Sequence, residues 1–102
     1  MFIYKDKIII NRGYSNKEIP KFDDNFFDII YIDGNHETVY VLEDAVLSFR
    51  KLKKNGIMIF DDYGWYSAHE LEKGVDAFLS VYSKRIQNLG IIDHQVFIKK
   101  LY

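Results

Sequence analysis

Two apolar runs of this chain each end in side chains that can bind a cation or move a proton. Asp33 and His36 follow the run FFDIIYI, and Asp61 and Asp62 follow the run GIMIF. Three carboxylates supply the hard oxygen ligands that Mg²⁺, Ca²⁺ or Mn²⁺ prefer. A cation held there would lower the pKa of a bound substrate hydroxyl, and His36 could take the proton as a general base. Alternatively, the aspartates are turn residues or helix caps, and His36 merely opens the next helix.

The elements that must position these residues read as strand, helix, strand. We predict strands at residues 26–33 and 56–60, with a helix at residues 38–53 between them. Continuous apolar strands are typical of a parallel sheet that is covered on both faces. Ligands of such sheets bind outside the carboxyl ends of the strands. The pattern therefore predicts that the three aspartates and His36 gather at one edge.

The remaining elements follow from periodicity and turn residues. We predict a strand at residues 7–11, a short helix at 16–19, a helix at about 67–84, and a final hairpin whose strands span 86–92 and 95–101. Asp93 and His94 would form its turn. The helix at 38–53 would end before Asn55 and Gly56, with an apolar face made of Leu42, Ala45, Val46, Phe49 and Leu52.

Composition limits the classes of function. The 102 residues suffice for one domain, 1–102, and the net charge of −1 gives no electrostatic reason to expect binding to nucleic acid or anionic membranes. No apolar run approaches the roughly 20 residues that span a bilayer. The absence of cysteine and of an N-terminal signal pattern leads us to expect a cytoplasmic protein.

The order of these motifs carries a resemblance to a known family. The segments GYS and IP near the N-terminus, then FDIIYIDGNH, then NGIMIFDDY, resemble the C-terminal part of class I S-adenosylmethionine-dependent methyltransferases. The similarity is greatest to metal-assisted O-methyltransferases and to macrocin-type methyltransferase domains. It implies an α/β fold, a Rossmann-like three-layer sandwich with a C-terminal β-hairpin.

The resemblance also implies roles for individual residues. Asp33, Asp61 and Asp62 match the positions of ligands to a divalent cation, with Mg²⁺ expected. His36 stands where related enzymes place a catalytic lysine. The cofactor would be S-adenosylmethionine, and a small molecule with a hydroxyl group would accept the methyl. The loop expected to border the adenine of the cofactor comprises Gly13, Tyr14, Ser15 and Asn16.

One departure from the family is large. The glycine-rich loop and the first two strands of the family have no counterpart in this sequence, and in the family those strands separate the strand at Ile8 from the strand at Phe26. We therefore expect an N-terminally truncated domain with weak or no binding of S-adenosylmethionine on its own. Its partner would be the missing N-terminal half or a second copy of the chain.

Two other functions stay open. The chain could be a non-catalytic remnant or interaction subunit that covers its sheet with another protein. The segment GNHE at residues 34–37 also resembles one signature of calcineurin-like metallophosphoesterases. The two further signatures of that family, Asp-x-His and Gly-Asp-x-x-Asp, do not occur in this sequence, so this hydrolase is the weaker alternative.

Overall fold

Six strands form one mixed sheet in a computed structural model, which describes residues 2–5, 7–10, 19–32, 37–64 and 69–102. The strands are β1 (Phe2–Lys5), β2 (Lys7–Ile10), β3 (Phe27–Ile32), β4 (Leu52–Phe60), β5 (Ile86–Ile92) and β6 (Gln95–Lys100). The helices are α1 (Thr38–Lys51) and α2 (His69–Val81), and a short 3₁₀ helix spans Ile19–Lys21. The order of strands across the sheet is β2-β1-β3-β4-β6-β5.

The centre of the sheet confirms the predicted strand–helix–strand unit. β3 and β4 are parallel neighbours, with Ile30 opposite Met58 and Ile32 opposite Phe60. α1 connects them, as expected for a crossover between parallel strands. The mixed sheet with its helices confirms an α/β, Rossmann-like fold in partial form.

An unexpected strand, β1, lies next to β3. The family resemblance implies two strands between the strand at Ile8 and the strand at Phe26, but here β1 alone lies between β2 and β3. It runs antiparallel to both neighbours and forms a hairpin with β2. The sheet is therefore continuous, because β1 occupies the gap that we expected from the missing strands.

The predicted C-terminal hairpin is confirmed. β5 and β6 pair antiparallel up to the contact of Ile92 with Gln95. Asp93 and His94 form the turn between them, with positive φ angles of 49° and 63°. Positive φ at both central residues is the geometry that matches the twist of a two-residue hairpin. β6 also pairs antiparallel with β4, which joins the hairpin to the centre of the sheet.

The junction between α1 and β4 differs from the prediction. We expected the helix to continue to residue 53 and to stop before Asn55 and Gly56. Instead α1 ends at Lys51, and β4 begins at the next residue, Leu52. Asn55 and Gly56 therefore lie inside the strand, where Asn55 adopts a φ of 69°.

Distant donors explain why the helix ends early. The carbonyl oxygen of Arg50 accepts from the backbone N–H of Asn25 at 2.9 Å, and that of Lys51 accepts from Phe26 at 2.8 Å. The ammonium of Lys100 donates to the carbonyl oxygen of Phe49 at 2.8 Å. These bonds satisfy the last helical carbonyls without a glycine stop, so the local Asn-Gly signal is not needed.

The helix α2 is shorter than predicted. It ends at Val81 rather than near residue 84, and residues 82–85 form turns before β5. Its predicted start at residue 67 lies outside the described residues. Leu71, Val75 and Phe78 form its buried face, and Leu79 and Tyr82 are partly buried against the same cluster. The short helix predicted at 16–19 lies outside the described residues except for Ile19.

Both described helices pack on the same face of the sheet. Ala45 and Phe49 of α1 and Phe78 of α2 share one buried cluster with alternate residues of β3, β4 and β6. Phe78 stacks on Tyr82 with ring centroids 4.5 Å apart and tilts against Phe60 at 5.7 Å. Leu42 and Val46 of the predicted α1 face are only partly buried, whereas Val41, which was not predicted on that face, is buried in the core.

The two helices approach very closely at Gly74. A Cβ atom at this position would lie 2.8 Å from the carbonyl oxygen of Thr38 and 2.9 Å from Cβ of Val41. Thr38 also donates from its hydroxyl to the carbonyl oxygen of Glu70 at 2.8 Å, so the first turns of α1 and α2 lie side by side.

Neither described helix is long and apolar enough to cross a membrane.

Candidate functional site

The carboxyl ends of β3 and β4 lie level with each other. Ile32 pairs with Phe60 in the parallel register, and the backbone N–H of Asp61 donates to the carbonyl oxygen of Ile32 at 3.1 Å. The two strands therefore deliver the residues that follow them to one edge of the sheet. Because α1 and α2 begin side by side after these strands, the described part of this edge also includes their first turns.

Asp61 is held by the start of the last strand. The side-chain amide of Gln95 donates to Oδ1 of Asp61 at 3.4 Å and to the hydroxyl of Tyr31 at 3.3 Å. Gln95 follows the hairpin turn, so β6 fixes a carboxylate at the end of β4 and reaches a side chain of β3. These are long hydrogen bonds between half-buried groups, and we expect each to contribute modestly.

The loop after Asp61 is fixed at two further points. The N–H of Tyr63 donates to the carbonyl oxygen of His94 at 2.8 Å, and Nδ1 of His94 lies 3.2 Å from the carbonyl oxygen of Tyr63. The hydroxyl of Tyr63 donates to Asp76 of α2 at 2.7 Å. This hydrogen bond, with burial and the nearby negative charge, raises the pKa of Tyr63 to about 12. Tyr63 is therefore a neutral donor at physiological pH.

Backbone geometry turns the chain sharply at this loop. Asp62 has a φ of 63° and Gly64 a φ of 80°, which is the left-handed region that glycine and aspartate tolerate best. Asp62 is half-buried rather than fully exposed. The chain therefore turns at Asp62 and again at Gly64, directly after β4.

The predicted metal ligands are only partly described. Asp61 and Asp62 lie together at the end of β4, as the sequence predicted, whereas Asp33 lies outside the described residues. Within residues 19–32, 37–64 and 69–102, no group of three or more His, Asp or Glu side chains is arranged to hold a metal ion. The described carboxylates alone therefore do not make a complete metal site, and the divalent cation stays a prediction.

The other predicted site residues lie outside the part of the chain that is described. This applies to the predicted base, His36, and to the loop predicted to border the adenine, which comprises Gly13, Tyr14, Ser15 and Asn16. Their predicted roles are untested. Sequence reasoning missed Gln95, Tyr31 and Asp76, because their contacts with the loop after β4 join distant segments that no local motif connects.

Comparison with known proteins identifies a family for this chain. A family profile described as "Methyltransferase domain" matches residues 2–63, more than half of the chain. An uncharacterized protein, R132, of Acanthamoeba polyphaga mimivirus is 40% identical over 42 residues, which cover 41% of this chain and 19% of that protein.

The structure of the O-methyltransferase NovP matches with a TM-score of 0.70 at 16% identity. The match covers 88% of this chain and 36% of that chain, so this chain spans about a third of the length of its structural relative. Identity this low supports the fold alone. Together, the family profile over residues 2–63 and the shared fold assign this chain to the methyltransferase domain family, with part of the class I S-adenosylmethionine-dependent methyltransferase fold.

Proposed function

We propose that this chain takes part in S-adenosylmethionine-dependent methyl transfer to a hydroxyl group, at the carboxyl edge of β3 and β4. The observation that supports this most strongly is the level alignment of the two strand ends, with the Asp61 N–H bonded to the Ile32 carbonyl oxygen at 3.1 Å. In open α/β sheets this edge is where ligands bind. The carboxylates of Asp61 and Asp62 make the described part of the edge suitable for a ligand that carries positive charge.

The proposed chemistry needs a base and an oriented acceptor. S-Adenosylmethionine, when bound, supplies a methyl group on a positively charged sulfur, and transfer to a hydroxyl oxygen leaves S-adenosylhomocysteine and one proton. We propose His36 as the general base that accepts this proton, since histidine is the side chain that most often takes this role. Gly13, Tyr14, Ser15 and Asn16 are the residues proposed to border the adenine. Gln95 and Tyr63 keep the loop after β4 in place around Asp61.

A divalent cation is also part of this proposal. Asp61 and Asp62 supply two carboxylates, and one oxygen of Asp61 already accepts from Gln95. Mg²⁺ is usually held by one or two carboxylates and several waters, and Asp33 is the third carboxylate proposed for this site. The proposed acceptor of the methyl group is a small molecule with a hydroxyl group.

Titration calorimetry at high protein concentration tests this function. We expect weak, saturable binding of S-adenosylmethionine, because this sequence lacks the glycine-rich loop of the family. Asp61→Asn should weaken binding about tenfold, which corresponds to about 1.4 kcal/mol. Asp28→Asn is the matched control, since Asp28 pairs with Lys53 at 3.3 Å near the opposite end of β3. A folded chain that releases no heat with the cofactor would contradict the proposal.

A second candidate function, an interaction subunit without catalysis, is favoured by one observation. The face of the sheet opposite α1 and α2 is mostly apolar and only partly buried in β3, β4 and β6, and no described helix packs on it. Two rows of registered neighbours form it, comprising Tyr31, Ile59 and Phe97 in one row and Ile29, Ile57 and Lys99 in the other.

The occupant proposed for this face is another polypeptide segment of the methyltransferase fold. Most of the apolar side chains of this face lie on β3 and β4, the parallel pair of the sheet, and this chain spans only 36% of its structural relative. Ile59→Lys should then abolish capture of that segment while leaving the chain folded. If the wild-type chain is such an interaction subunit, calorimetry should detect no cofactor binding by the chain alone and binding once the segment is added.

A further inference from the structure

The outer edge of β5 has unusually little protection. β5 is the last strand of the sheet, and among the described residues only β6 pairs with it. Edge strands are normally shielded by charges, proline or bulges, because their outward N–H and C=O groups can pair with another strand. β5 has the sequence IQNLGII, with no charge and no proline. Its exposed fractions reach 46% at Leu89, 57% at Ile91 and 63% at Ile92.

Within the described part of the chain, the feature that shields β5 is a bulge at its centre. The register with β6 shifts between Asn88 and Gly90, so that Leu89 is the extra residue. The Asn88 side chain accepts from the Gly90 N–H at 2.9 Å, which occupies that amide within the strand. The bulge divides β5 into two short regular halves, 86–88 and 90–92. A strand that pairs with both halves must tolerate an interruption at the same place.

Charges flank β5 with opposite signs at its two ends. Lys84 and Arg85 are exposed just before the strand, and Asp93 is exposed just after it. Arg85 is fixed by donating from Nε to the carbonyl oxygen of Tyr102 at 2.9 Å. When two such strands run antiparallel, the basic end of each meets the acidic end of the other. The flanking charges are therefore complementary to a second copy of the same strand.

We propose that β5 pairs antiparallel with β5 of a second copy of this chain around a two-fold axis. The 86–88 half of one copy then lies beside the 90–92 half of the other, and the two bulges meet at the axis. The two sheets become one continuous sheet, and the interface is closed, as in symmetric dimers. A single strand pair buries little area, and interfaces smaller than about 1,200 Å² are weak. The dimer should therefore be populated only at high protein concentration.

Sedimentation velocity across a concentration series tests the interface. The wild-type chain should shift from monomer to dimer as concentration rises. Ile91→Lys places a charge on the edge and should keep the chain monomeric. Val39→Lys is the matched control, because Val39 is equally apolar and 68% exposed on α1, and it should dimerise as the wild type does. A wild type that stays monomeric, or an Ile91→Lys variant that dimerises normally, would overturn the proposal.

A charge exchange tests the direction of the strands. Lys84→Glu combined with Arg85→Glu places like charges opposite Asp93 at both ends of the pair and should weaken dimerisation at least tenfold. Adding Asp93→Lys restores opposite charges and should recover most of that loss. Circular dichroism checks that both variants remain folded. Failure of the triple variant to recover, when it is folded, would exclude the antiparallel arrangement.

Discussion

The buried ammonium of Lys100 donates to the carbonyl oxygen of Phe49 at 2.8 Å and lies 4.7 Å above the Phe49 ring. The same ammonium donates to the carbonyl oxygen of Leu52 at 2.8 Å. Lys100, which is only 5% exposed, therefore links the last turn of α1 to the first residue of β4. Burial, together with the charge of Arg85, lowers the pKa of Lys100 below its usual value.

Removing this ammonium should destabilise the fold. Lys100→Met keeps the volume of the side chain but leaves the two buried carbonyl oxygens without this donor. The expected loss is about 1–3 kcal/mol in the free energy of unfolding, measured by urea denaturation. Lys99→Met is the control, because Lys99 is half-exposed on the opposite face of β6, and its change should be small. Equal stability of Lys100→Met and wild type would refute the role of Lys100.

The same junction shows how far the sequence predicts the fold. The alternation and turn residues predicted the hairpin of β5 and β6, because its signals lie within a few neighbouring residues. The end of α1 could not be predicted, since its carbonyls are satisfied by Asn25, Phe26 and Lys100 from distant segments. β1 was missed for a similar reason, because its position depends on pairing with β3.

The candidate site shows the same division. Asp61 and Asp62 were predicted correctly to follow β4 at the edge that β3 shares, because apolar runs that end in carboxylates are visible locally. Gln95 has no such signal, since it reaches Asp61 only after β6 has paired with β4. The roles of His36 and of Asp33 remain predictions, as both lie outside the described residues.

The hydrogen bond from Tyr63 to Asp76 predicts a shifted tyrosine titration. The pKa of Tyr63 is about 12 in the folded chain, against 10.0 for the unperturbed group. The folded chain thus holds this proton more tightly than the unfolded chain does. Its stabilising contribution is complete below pH 10 and is lost as the pH rises towards 12.

Ultraviolet absorbance titration measures this shift directly. The difference between wild type and Tyr63→Phe should titrate near pH 12. Asp76→Asn removes the charge of the acceptor and should move that transition towards 10. A difference spectrum with a midpoint near 10 in the wild-type chain would show that the hydrogen bond is not formed in solution.

Gly74 should tolerate no side chain, although glycine lowers the helix propensity of α2. Gly74→Ala would gain up to about 1 kcal/mol in propensity. Its Cβ would however meet the backbone of α1 at the carbonyl oxygen of Thr38, 2.8 Å away. We expect a net loss of about 1–3 kcal/mol from overpacking, measured by thermal and urea unfolding. Ser80→Ala, at an exposed position of α2, is the control and should be neutral or slightly stabilising.

The proposed divalent cation makes a prediction for Asp33. If Asp33 completes the site with Asp61 and Asp62, the chain should bind Mn²⁺ as measured by the loss of its free-ion electron paramagnetic resonance signal. Asp33→Asn and Asp61→Asn should each weaken that binding at least tenfold, because each removes a charged oxygen ligand. Asp28→Asn should bind as the wild type does. Equal Mn²⁺ binding by all four proteins would show that the cation lies elsewhere.

The most direct test of the proposed methyl-transfer site is a titration of the ¹⁵N-labelled chain with S-adenosylhomocysteine, followed by amide chemical shifts. This method detects weak binding and locates it. We expect saturable shifts at Asp61, Asp62 and Tyr63, at the carboxyl ends of β3 and β4, and none at Asp28 or Lys53 near the opposite end. Absence of saturable shifts, or shifts confined to that opposite end, would contradict the assignment of this edge as the cofactor site.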